Sequence, residues 1–129
     1  MRDIKNNLNV VQSLVPAART TTANGAGADL RGYDAAIAVV DVGAVSGTSP
    51  SFTFELQESA DDSSYAAVAA ADLIGAFAAV TSSNQVQRVG YVGAKRYVRV
   101  AIAAVSGTSP AANCAATIVR GNAAQRPVA

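Results

Sequence analysis

Apolar and polar residues alternate along two stretches of this 129-residue chain, and this period of two restricts its fold more than any other feature. The stretches are 51–59 and 95–105. Alternation of this kind predicts β-strands with one face buried and the other in solvent. We expect the apolar positions of both stretches to lie in the core together with one position of a later run. The predicted core residues are Phe52, Phe54, Leu56, Val98, Val100, Ile102 and Ile118.

The heptapeptide AVSGTSP occurs twice, at 44–50 and at 104–110, each time between two apolar runs. Its residues are typical of turns, because Gly permits a positive φ, Ser and Thr bond back to the backbone, and Pro fixes φ while removing a donor. A turn between two β-rich runs predicts a hairpin. The sequence therefore predicts two hairpins with one loop design. An ancient duplication stays open, although the flanking sequences match poorly.

Further strands are predicted at 8–15, 33–42, 86–92 and 113–120. Six to eight short strands with turn signals between them favour an all-β fold, an antiparallel β-sandwich or a jelly-roll-like domain. The stretch 65–80 has two interpretations. It is either an Ala-rich helix capped near Asp61, or a short strand at 65–68 followed by a helical turn. The second is favoured, because Gly75 interrupts the run and its surroundings are strands.

The first 30 residues differ in composition from the rest. Residues 20–30, TTTANGAGADL, are small and polar, as in an extended connector. We expect residues 1–30 to form an extended N-terminal arm with a linker, and residues 31–129 to form the β-sandwich domain. The alternative is that the first 30 residues supply a first strand and a loop of the same domain.

The composition lacks the residues of most catalytic sites. The chain has no His, one Cys and no Trp, and its net charge is +1. The absence of His excludes the commonest general base and most zinc sites. The acids Glu55, Glu58, Asp61 and Asp62 lack a calcium-loop pattern, and the thiol of Cys114 is expected to be buried. We therefore expect no enzyme activity, no cofactor and no metal, and no membrane segment or nucleic-acid partner.

Charge is sorted along the chain, with net −5 over residues 1–72 and net +6 over residues 73–129. Such asymmetry steers one copy against another or towards an acidic partner, unless the two halves interleave and cancel. One basic and aromatic cluster stands out, and alternation places Lys95, Tyr97 and Arg99 on one strand face. These three residues, with Arg2 and Lys5 of the arm, are the candidate interface. The alternative is a strand face that is charged only for solubility.

Four segments together resemble a group of short proteins of tailed bacteriophages and prophages, typically encoded near the major capsid protein. They are MRDIKNNLNVVQSL, ANGAGADLRGYDAAIAVVDVG, FELQESADDSSYAAV and RVGYVGAKRYVRV. The likeness spans most of the chain and consists of strands and loops, without a catalytic motif. It implies a virion structural protein, a capsid decoration or cement protein that binds the major capsid protein lattice on the outside of the head and stabilises it.

The run 33–42 is apolar on both faces, the strands are rich in Ala and the N-terminal arm is long enough to reach a neighbour, so the sequence predicts a homo-oligomer. The resemblance implies that this oligomer is a trimer, located in the virion after synthesis in the host cytoplasm. Two other functions stay open from the sequence. One is another virion component, such as a head–tail connector, tail or spike protein. The other is a carbohydrate- or surface-binding β-sandwich module, for which a chain with four Tyr and no Trp is poorly equipped.

Overall fold

The structure, a computed structural model, describes residues 2–125 and residue 127, and it is nearly all β, with 65% strand and 2% helix. This confirms the predicted fold class. The terminal residues Met1, Arg126, Val128 and Ala129, which the two predicted segments include, lie outside the described residues. The strands are β1 (Asn9–Arg19), β2 (Ala23–Asn24), β3 (Ala28–Asp29), β4 (Tyr33–Ser59), β5 (Ala66–Ala67), β6 (Leu73–Ile74), β7 (Gln85–Tyr91) and β8 (Tyr97–Ala123).

Two very long strands organise the fold. Strands β4 and β8 have 27 residues each and pair antiparallel from Tyr33–Ala123 to Ser59–Tyr97. We call this pair the long ribbon. Strand β1 and then β2 and β3 flank the β8 side, while β7 and β5 flank the β4 side, and β6 lies beyond β7. All of these pairings are antiparallel.

The two AVSGTSP copies lie opposite one another in the middle of the long ribbon, so the prediction of two hairpins is wrong. Thr48 pairs with Thr108, and the Ser46–Ala111 pair on one side matches the Ser51–Ser106 pair on the other. The pairing thus has a local twofold symmetry. Turn-forming residues bend the strands here without reversing them, because each copy has only two positive φ angles and its neighbours remain extended.

The bend divides the long ribbon into two halves that enclose one core. The broad half contains residues 33–46 and 111–123 of the ribbon with β1, β7 and β6. The narrow half contains residues 51–59 and 97–106 with β2, β3 and β5. Apolar side chains of both halves form a single buried cluster, as in a sandwich. All seven predicted core residues belong to it, with exposed fractions of 3% or less.

The N-terminal segment differs from the expected arm and linker. Residues 9–19 are β1, which pairs with β8 in the same sheet, and Leu14 is buried in the core. The Oγ of Ser13 donates to the carbonyl of Ala26 (3.0 Å) and accepts from the amide of Val100 (2.9 Å). Residues 9–29 therefore close one edge between the two halves. The structure has the alternative arrangement, a first strand and a loop of the same domain.

The stretch 65–80 follows the favoured interpretation. Strand β5 covers Ala66–Ala67 and is followed by a 3₁₀ turn at Ala70–Asp72. Val80 then forms an isolated bridge with Phe52 and is fully buried. A helix does not form, because residues 66–67 complete the edge of β4 and the chain must turn at Gly75, whose φ is +90°.

Candidate interaction surface

The outward surface of the broad half is largely apolar from one edge to the other. Inward positions such as Ala38 and Val40 are buried, so the alternate positions of the same strands point outward. We call this surface the apolar face. Its large apolar side chains are Val10, Ile37, Val39, Ile74, Val86 and Val119.

The register of five strands builds this face. One row crosses the sheet through Val10, Val119, Ile37, Gly90 and Ile74. The next two rows towards the bend add Val39 and Val86, the smaller side chains of residues 115 and 117, and the exposed polar side chain of Gln12 on β1. The exposed fractions are 62% for Val10, 66% for Ile74 and 65% for Val86, so apolar side chains face solvent at both edges of the sheet as well as between them.

The apolar face carries one acid and one base near its centre. Asp41 is paired with Val86 across strands, and Arg88 is paired with Val39, so the two charges are diagonal neighbours on β4 and β7. Within residues 2–125 and 127, neither side chain forms an ion pair. In this part of the chain, the two opposite charges therefore lie within an apolar surface without a charged partner.

The outward surface of the narrow half is polar and its groups bind each other. The guanidinium of Arg99 lies 4.0 Å from the ring centre of Tyr65, and its Nε donates to Oε1 of Gln57 at 2.7 Å. The Nε2 of Gln57 in turn donates to Oε1 of Glu55 at 2.9 Å. Burial, and then the hydrogen bond from its hydroxyl to Asp62, raise the pKa of Tyr65.

The end of the molecule opposite the bend carries an ion pair. Arg96 binds both carboxylate oxygens of Asp29, at 2.9 and 2.8 Å, and lies 5.0 Å from the ring centre of Tyr97. The hydrogen bond from Arg96 is the main reason why the pKa of Asp29 falls to about 2. Arg120 lies over the ring of Tyr33 and donates to the backbone carbonyl of Asp29. These contacts join β3 to the loop before β8 and to the end of β8.

A cleft of about 360 Å³ opens at this same end, between the start of β4 and the loop before β8. The Tyr91 hydroxyl at its wall donates to Oε2 of Glu58 (2.7 Å) and accepts from the amide of Lys95 (3.0 Å). Burial, followed by the bond to Glu58, raises the pKa of Tyr91 to about 12. The cationic side chains of Arg31, Lys95 and Arg96 and one carboxylate, that of Asp34, also line the cleft, so its lining has a net charge of +2.

The structure distributes the five predicted interface residues over three places. Lys95 lies at the cleft, whereas Tyr97 and Arg99 lie on the outward surface of the narrow half. Arg2 and Lys5 are exposed near the turn that precedes β1. Alternation did indicate the shared face of Tyr97 and Arg99. The apolar face was indicated only in part, by the two-sided apolar run at 33–42, because the sequence does not reveal which strands lie beside it.

The reactive side chains of Cys114 and Asp61 contribute to packing and to hydrogen bonds within the fold. Cys114 is buried, and burial raises the pKa of its thiol. The Asp61 carboxylate accepts hydrogen bonds from the amides of Ser63 and Ser64 and from the Ser59 hydroxyl, which together lower the pKa of Asp61. Within the described residues, no three His, Cys, Asp or Glu side chains gather as metal ligands, and no helix has the length and apolar character to cross a membrane.

Comparisons with known proteins do not assign a family. A scan against protein-family models and searches of curated proteins and of solved structures find no match for this chain.

Proposed function

We propose that this protein is a structural component of a virion, a capsid decoration (cement) protein that binds the outside of a phage head and stabilises the shell. The observation that carries the proposal is the apolar face, because exposed apolar patches mark sites of protein association, here the association of copies into an assembly. The resemblance of the sequence to short phage proteins is the reason for proposing that this assembly is a phage head.

The contact with the shell is assigned to the end that carries the cleft. Lys95 and Arg31 line it, and no hydrogen bond or ion pair engages either side chain within the described residues. Exposed cations of this kind attract an acidic protein surface and raise the rate of encounter. The acidic partner proposed is the major capsid protein lattice. Because a lattice repeats the same site many times, weak individual contacts suffice for stable coverage when the bound protein is oligomeric.

Co-sedimentation tests this proposal. The purified protein is mixed with shells assembled from the major capsid protein encoded in the same genome, and the bound fraction is measured at rising protein and salt concentration. We expect saturable binding that weakens with salt. The charge reversals Lys95→Glu and Arg31→Glu are expected to reduce binding at least tenfold, whereas Arg99→Gln, which changes a cation already stacked on Tyr65, should leave it close to that of the unaltered protein.

Three outcomes contradict the proposal. A folded protein that fails to sediment with shells at any concentration is not a decoration protein. Binding to purified tails in place of heads would assign the chain to another virion component, the first alternative left open by the sequence. Binding to a glycan array with no binding to either particle would favour the carbohydrate-binding module.

A further inference from the structure

We propose that the apolar face is an interface between two copies of this chain, related by a twofold axis, in which Asp41 of each copy pairs with Arg88 of the other. This inference concerns the free protein and holds whether or not the protein binds a capsid. Its basis is the apolar character of the face, the position of its two charges and its area.

Among the described residues, the outward surfaces of the two halves differ in whether their groups have partners within the fold. On the narrow half, Arg99, Gln57 and Glu55 bind one another in a continuous network. On the broad half, Val10 and Val86 are each more than half exposed. Removing such side chains from water is favourable in proportion to the area covered, so a partner on the apolar face gains free energy that a partner on the other surface does not.

The charges on the face point to a second copy as the partner. A face with a single acid and a single base side by side is complementary to itself, because a twofold rotation exchanges their positions. An axis that lies in the interface plane and passes between Asp41 and Arg88 places each carboxylate opposite the guanidinium of the other copy. Packed sheets lie about 10 Å apart, a gap that one Arg and one Asp side chain together span. Two ion pairs then form, and neither charge of the pair is left without a partner in the contact.

The area of the face fits a weak but specific dimer. Four strands about 4.8 Å apart, each contributing about seven residues of about 3.3 Å, together with the two residues of β6 at the edge, cover roughly 500 Å² per copy. Two copies therefore bury roughly 1,000 Å², the lower bound for a specific interface. The side chains of Thr117 and Ala115 are small, so the part of the face on β8 allows close approach of a second sheet. Dimerisation is accordingly expected in the micromolar range of protein concentration.

Sedimentation velocity and equilibrium on the purified protein, from low to high micromolar concentration, test the state of association. We expect a reversible monomer–dimer equilibrium. Val86→Lys, which places a charge in the contact, is expected to weaken dimerisation at least tenfold. Ile4→Lys is the matched control, because Ile4 is also an exposed apolar residue (56%) but lies before β1 and outside the apolar face. It should dimerise like the unaltered protein. Circular dichroism checks that both variants are folded.

A charge exchange tests the pairing of Asp41 with Arg88. Asp41→Lys alone sets two cations against each other at both contacts, and Arg88→Glu alone does the same with two anions. Each single variant is expected to weaken dimerisation at least tenfold. The double variant Asp41→Lys/Arg88→Glu reverses both contacts together, so it is expected to restore dimerisation to within a few-fold of the unaltered protein.

Mixing the two single variants tests the symmetry. When a copy with Asp41→Lys meets a copy with Arg88→Glu, the two substituted side chains lie opposite one another with opposite charges. The unaltered Arg88 of the first copy then lies opposite the unaltered Asp41 of the second. Both contacts are favourable, so the mixture is expected to associate more tightly than either variant alone. Association should stop at the dimer, because a twofold contact is closed, whereas a one-way contact continues into larger assemblies.

Several results overturn the proposal. A protein that stays monomeric at high micromolar concentration has no such interface. A trimer, the state that the phage resemblance implies, or an assembly that grows beyond the dimer contradicts the twofold arrangement. A dimer that is unaffected by Val86→Lys, or that the double exchange does not restore, uses a different surface.

Discussion

Replacing Gly47 by Ala is expected to destabilise the protein strongly, because this glycine lies at the bend of the long ribbon in a conformation that other residues avoid. Its φ is +110°, and an added methyl group would stand 2.7 Å from the carbonyl oxygen of Ser109 and 2.9 Å from that of Thr108. A left-handed conformation costs an L-residue about 1–2 kcal/mol. Contact with fixed backbone atoms adds strain of similar size, so the expected total is about 3 kcal/mol.

The local twofold symmetry makes this prediction sharper. Gly107 has a φ of +108°, and its added methyl group would stand 2.6 Å from the carbonyl oxygen of Ser49. Gly107→Ala should therefore cost the same as Gly47→Ala, within about 0.5 kcal/mol of experimental error. Domains of this size have unfolding free energies of about 5–15 kcal/mol, so either loss is readily measured.

Urea unfolding followed by circular dichroism, at a protein concentration low enough to keep the chain monomeric, provides the measurement. Gly32→Ala is the matched control, because Gly32 also has a positive φ (+87°) but nothing lies within 4 Å of an added methyl group. Gly32→Ala should lose only the conformational part, about 1–2 kcal/mol. The reasoning is refuted if Gly47→Ala costs no more than Gly32→Ala, or if the losses at Gly47 and Gly107 differ by more than about 1 kcal/mol.

Three further outcomes are expected. Phe54→Ala removes a ring that is 3% exposed, and urea unfolding should show that the free energy of unfolding falls by about 3–5 kcal/mol. A decrease below about 1 kcal/mol would mean that the ring is not in the core. Ser13→Ala leaves the amide of Val100 and a second backbone group without partners and should cost about 2 kcal/mol, whereas an unpaired N-terminal arm would lose nothing. Arg96 lowers the pKa of Asp29 to about 2 from 3.8, so as the pH drops the unfolded chain binds this proton before the folded chain does, and the free energy of unfolding falls between about pH 4 and pH 2. Asp29→Asn should flatten the pH dependence of the unfolding free energy in this range, and an unchanged slope would contradict the prediction.

The sequence was informative where burial follows from local alternation. Phe52, Phe54 and Leu56 recur at every second position, and a strand with that pattern has only one way to face a core. The same rule located Val98 and Val100. The interruption of the Ala-rich run by a glycine likewise indicated a short strand and a turn before it, in place of a helix.

The bend of the ribbon could not be predicted in this way. Gly47 and Gly107 carry the conformations that a turn requires, but whether a chain reverses or merely bends depends on which strand it pairs with. Here the partner of each heptapeptide is the other copy, 60 residues away in the sequence. The apolar face could not be predicted from the sequence for the same reason, since Val10, Ile37 and Ile74 form a row only through pairings between distant strands.

The long ribbon also has a kinetic consequence. Its nearest pair in the sequence, Ser59 with Tyr97, encloses residues 60–96, and its farthest pair, Tyr33 with Ala123, encloses most of the chain. No tight hairpin can therefore nucleate β4 against β8, and a large loop must close before the first bond between these two strands forms. Chains dominated by such distant contacts fold in milliseconds to seconds or more slowly. During that interval two 27-residue strands have open edges, so nascent chains at high local concentration are exposed to mispairing with their neighbours.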